Sequence, residues 1–150
     1  MTDRKDEIAA LNTLTATLID SVTGFEDAAA NIDSPRLQEQ FRERASERRK
    51  IVEELRSEVR RLGGDPEDDG SFLGKAHQRF LDLKAAIAGR DEKAVIDEVD
   101  RGEDYLKSKF QAALQSGDLK GETHDLVERL YQRVKEDHEQ VSALKHGMTT

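Results

Sequence analysis

Glu103 and His138 stand where hydrophobic residues are due. Glu103 interrupts the stripe Ile96, Val99, Leu106, Phe110, and His138 interrupts Val127, Tyr131, Val134, Val141, both with the three- and four-residue steps of a helix. A polar group buried in such a line without a partner costs about 1–3 kcal/mol, and a charge costs more. A carboxylate and an imidazole at one level could ligate iron or manganese. The same two groups could equally belong to a hydrogen-bonded polar layer. What the other helices bring to that level decides between these chemistries.

The periodicity predicts an all-α chain folded as one domain over residues 1–150. A first long helix is expected from about Asp3 to Asn31. Asp33-Ser34-Pro35 breaks it and starts a second, with Ser34 as N-cap, that runs to about Leu62. Gly63-Gly64 stops the second helix, and a polar loop reaches Gly70. A shorter helix is expected at about 71–88, a third long helix from Asp91 to near Gly117, and a fourth from about Glu122 to Lys145. Short links make hairpins of about 3–62 and 91–146. The intervening helix, about 27 Å long at ~1.5 Å per residue, is long enough to carry the chain back along the bundle. The expected order is therefore up-down-down-up with a crossover helix.

That order lets heights be compared. Glu103 lies fourteen residues before Gly117, Arg48 fourteen before Leu62, and His138 seventeen after Gly121. Thr15, with Asp20 and Ser21 nearby, comes to the same level on the first helix. A dinuclear iron site of the bundle type draws a Glu from each of two helices and Glu-x-x-His from each of the other two. Glu103 and His138 fit one position each, with Glu26 the best carboxylate of the first helix. However, Lys135 stands three residues before His138, and the second helix has no histidine. Arg48 occupies its core position, and an arginine cannot ligate a metal. The expected arrangement is thus a salt-bridged polar layer of Arg48, Glu103, His138 and Thr15, with no metal or other cofactor. The alternative is a reduced iron or manganese site on Glu103, His138 and Glu26.

Other residues carry weaker signals. Gly102, mid-helix, is expected to admit a close helix or a bulky neighbour such as Tyr131 or Phe41. Glu98 and Asp100 are read as a solvated face, His77 as a boundary residue, and His124 and His146 as surface residues. The run Glu67, Asp68, Asp69 lacks the spacing of a calcium loop.

Composition narrows the classes. Charged residues make up 37% of the chain, against ~25% in an average domain, and the net charge is −8. Acidic and basic residues interleave; Arg42, Arg44, Arg48 and Arg49 alternate with Glu39, Glu43 and Glu47, which reads as an ion-paired face without a basic stripe for nucleic acid. The absence of cysteine rules out thiolate catalysis, disulfides and cysteine-held zinc or iron–sulfur clusters. The charged start MTDRKDEIAALN has no apolar signal core, and no run of ~18 apolar residues occurs. The expected protein is acidic and cytoplasmic, with no membrane or nucleic-acid partner. A second copy of the chain or another protein remains as the partner class.

The strings RRLGGDPEDDGSFLGKAHQRF, LDLKAAIAGRDEKAVI and EVDRGEDYLKSKFQAAL resemble a bacterial family of ferritin-like four-helix-bundle proteins of unknown function. The resemblance runs from Ile8 to Leu144 and is most specific in the GGDP…GS loop, His77-Gln78-Arg79 and Gly102-Glu103-Asp104. It implies a ferritin-like bundle in the cytoplasm with no established activity. Against metal-binding ferritin-like proteins, Glu103 falls at a carboxylate position and His138 at a histidine position.

Overall fold

The computed structural model describes residues 4–66 and 92–149. These form four helices, α1 (Arg4–Asn31), α2 (Pro35–Arg61), α3 (Glu92–Gln115) and α4 (Gly121–Thr149), and no strand among the described residues. The side chains of 137, 138 and 140–149 in α4 are not described. The crossover helix expected at about 71–88, with His77, lies outside the described residues.

Local chemistry explains where each helix begins and stops. Ser34 has extended backbone and accepts the Leu37 N–H at 3.4 Å, while Pro35 opens α2 with a φ already suited to a helix. Gln38 donates to the Ile32 carbonyl at 2.7 Å, tying the start of α2 to the end of α1. At the other end, Gly63 takes φ +88° and the N–H of Gly64 reaches back to the Val59 carbonyl at 2.9 Å. This is the left-handed cap that glycine forms without strain. Gly64 has a second reason to lack a side chain: a Cβ there would lie 2.8 Å from the Ile8 side chain of α1.

The ends of the helices meet through specific bonds. Asn12 of α1 donates to the Asp65 carbonyl beyond α2, and Glu7 accepts the Lys120 N–H between α3 and α4 at 2.9 Å. The interior falls into two apolar clusters. One gathers Leu11, Leu14 and Leu18 with Ile51, Leu55, Val59, Leu106, Phe110, Val127, Leu130 and Val134 from all four helices. The other gathers Val22, Phe25, Ala28 and Ala29 with Leu37, Phe41, Ala45, Val95, Ile96 and Val99 from α1, α2 and α3. Among the described residues α4 adds nothing to the second cluster. Among them too, α1 is the one helix whose length and composition would suit a membrane crossing, yet its apolar residues supply much of this core.

Candidate functional site

Three helices converge between the two clusters. Ser21 lies between Leu18 and Val22 on α1, Arg48 between Ala45 and Ile51 on α2, and Glu103 between Val99 and Leu106 on α3. Arg48 is fully buried and Glu103 is 2% exposed. The guanidinium meets the carboxylate with two parallel bonds, Nη1 to Oε1 at 2.8 Å and Nη2 to Oε2. Arg48 Nη1 also donates to the Ser21 hydroxyl at 3.0 Å, and that hydroxyl lies 3.5 Å from Glu103 Oε1. The Phe25 ring lies under the guanidinium, 5.6 Å from Cζ to centroid. The planar fork of arginine suits such two-point pairing, and an aromatic face suits its flat cationic surface.

Burying two charges is tolerable here because each supplies the other's counter-charge and hydrogen bonds. The arrangement leaves little free chemistry. Both Glu103 oxygens accept from the arginine, which occupies one lone pair on each.

The structure brings together Arg48, Glu103 and Ser21, whereas Thr15 and Glu26 bond elsewhere. Thr15 is buried, but its hydroxyl donates to the Leu11 carbonyl of its own helix at 2.8 Å, so it is satisfied locally and does not reach the ion pair. Ser21 is the α1 member that reaches it. Glu26 lies at the surface in a half-exposed pair with Arg49. The side chain of His138 is outside the described residues.

Gly102 also departs from expectation. No described residue comes within 4 Å of a Cβ placed there. Phe41 pairs instead with Phe25 at 5.8 Å, and Tyr131 with Phe110 at 6.2 Å. With space available among the described residues, Gly102→Ala should raise unfolding stability by about 1 kcal/mol, the helix-propensity difference, as read by urea denaturation. Asp100 was expected on a solvated face but is 8% exposed. Glu98 pairs with Arg101.

A second buried polar group lies at the end of the bundle, and no interrupted stripe announces it. Glu58 accepts from Arg61 Nε at 2.8 Å and Nη2 at 2.6 Å, and from the Thr123 hydroxyl of α4 at 2.6 Å. The Arg61 bonds, then the Thr123 bond, hold the Glu58 carboxyl below the ordinary carboxylate range, against the upward push of burial. In the sequence, Glu58 and Arg61 look like an ordinary i,i+3 surface pair.

On the surface, the Nδ1 of partly exposed His124 lies 3.9 Å from an Asp125 oxygen and 3.8 Å from a Glu128 oxygen. His124 closes the first turn of α4, where the helix dipole opposes a cation, and Asp125 and Glu128 lie on the next turn.

A small all-helical domain with an ion pair at the centre of its core is the class these features define. A family model described as a domain of unknown function (DUF2383) matches residues 6–116, and the chain belongs to that family. The matched stretch holds α1, α2, α3 and the Arg48–Glu103 pair, and ends at the turn before α4. No curated protein matches the chain.

Proposed function

We propose that this protein is a non-enzymatic structural or interaction protein of the cytoplasm. In this reading it is a ferritin-like bundle in which a salt bridge occupies the level of a dinuclear metal site. The observation that carries the reading is the two-point hold of Arg48 on Glu103. A permanent cation at a ligand position repels a metal ion and consumes the carboxylate that would bind it. Such a pair serves helix register better than it serves stability.

The up-down-down-up order belongs to the same proposal. Three contacts support it: Glu7 with Lys120, Arg48 with Glu103, and Glu58 with Thr123. They fit α1 running against α3 and α2 against α4, with α2 and α3 facing each other across the bundle and joined by the Arg48–Glu103 pair. The crossover helix would then return the chain between the hairpins.

The test is elemental analysis of protein purified without chelator, beside an Arg48→Leu variant. The expected result is no stoichiometric iron or manganese in the wild type. Stoichiometric metal there would overturn the reading in favour of a reduced site on Glu103, His138 and Glu26, whose two carboxylates would have to leave their arginines.

A further inference from the structure

We propose that the end of the bundle where α2 stops and α4 starts is an acid-sensitive joint, at which the first turn of α4 releases from α2 while the rest of the core holds. The joint is built from one arginine and three carboxylates on three helices. Arg61 bonds Glu58 on α2, stands 3.8 Å from Glu122 on α4, and also feels the charge of Glu7 on α1. Thr123, 1% exposed, donates to Glu58 at 2.6 Å and receives Arg61 Nη2 at 3.3 Å. Glu7, 7% exposed, holds the Lys120 N–H just before α4. The titratable and charged groups at this end are therefore Glu7 of α1, Glu53, Glu54 and Arg61 of α2, and Glu122 of α4, with Glu54 paired to Arg133 of α4. His124 lies next in sequence to Thr123 and faces Asp125 and Glu128.

The contrast with the central pair explains why this end gives way first. Arg48 is fully buried and has no path to water, so the central pair cannot separate without opening the core. The Arg61 side chain is 49% exposed and can turn to water when Glu58 takes a proton. Glu58 then loses its cation, and the Thr123 hydroxyl loses a charged acceptor. The sign follows from the depressed carboxyl. The stabilisation is complete above the ordinary value of 4.5 and is lost as pH falls through the lower folded value.

The experiment is hydrogen–deuterium exchange of the full chain from about pH 7 down to about pH 3.5, corrected for the intrinsic pH dependence of exchange. Exchange over 119–127 should rise relative to the segments around Phe41 and Ile96 once the pH falls below 4.5. In Glu58→Gln that step should vanish, whereas in His124→Gln it should persist. A flat wild-type response would overturn the proposal, as would an unchanged step in Glu58→Gln. Should Glu58→Gln fail to fold, Arg61→Gln tests the same joint. Removal of the exposed cation must shrink the step, and an undiminished step there would equally overturn the proposal.

Discussion

Arg48→Ala should cost about 3–5 kcal/mol in urea denaturation, while Arg48→Met combined with Glu103→Leu should be near neutral or stabilising. The single change leaves a carboxylate 2% exposed between two apolar clusters, with only the Ser21 hydroxyl to face it among the described residues. Glu103→Leu alone should cost a similar amount, because it strands the guanidinium over Phe25. The double change removes both charges and fills the space with side chains that join the clusters above and below. The resulting cycle should show strong coupling between the two sites. If the single and double variants lose stability additively, the pair is not closed as described. Loss of register need not follow loss of stability. A double variant that is stable but gives broad amide resonances would show what the pair contributes to a single packing.

Phe41→Ala should be comparably severe, about 3–5 kcal/mol. Phe41 is fully buried in the cluster drawn from α1, α2 and α3, and its ring meets Phe25 at 5.8 Å. That cluster includes three alanines, Ala28, Ala29 and Ala45, so the rings of Phe25 and Phe41 supply much of its volume. Small neighbours on helical backbones cannot collapse into the vacated space, which places the cost high in the range. Combination with Phe110→Ala, whose ring belongs to the other cluster, should give a nearly additive loss, measurable as the sum of two urea midpoint shifts at constant slope.

The four long helices are legible in the sequence because their stripes are long and their breaks are chemical: Ser34-Pro35, Gly63-Gly64 and Gly117. Arg48 and Glu103 are legible for the opposite reason, since each interrupts a stripe that otherwise demands hydrophobic residues. Polar residues able to satisfy themselves escape this logic. Thr15 shares the height of the pair, but a helical threonine can bond the carbonyl four residues back, so its burial says nothing of partners. Ser21, one step off the main stripe, reaches the guanidinium instead. Glu26 falls within a turn of the right level, yet Arg49 draws it outward. Glu58 and Thr123 come from opposite ends of the second and fourth helices, and only the closure of the bundle places them together. Gly102 misleads in another way: a mid-helix glycine suggests crowding, and the described neighbours leave space.

Temperature gives the Arg48–Glu103 pair a further consequence. The hydration of charged groups has a strongly negative entropy, so the penalty for taking this guanidinium and carboxylate out of water shrinks on warming. The attraction across their two parallel bonds does not weaken in the same way. Whatever advantage an apolar Met–Leu replacement holds near room temperature should therefore narrow with heating. The ionic waist of this bundle is better suited to warmth than to cold.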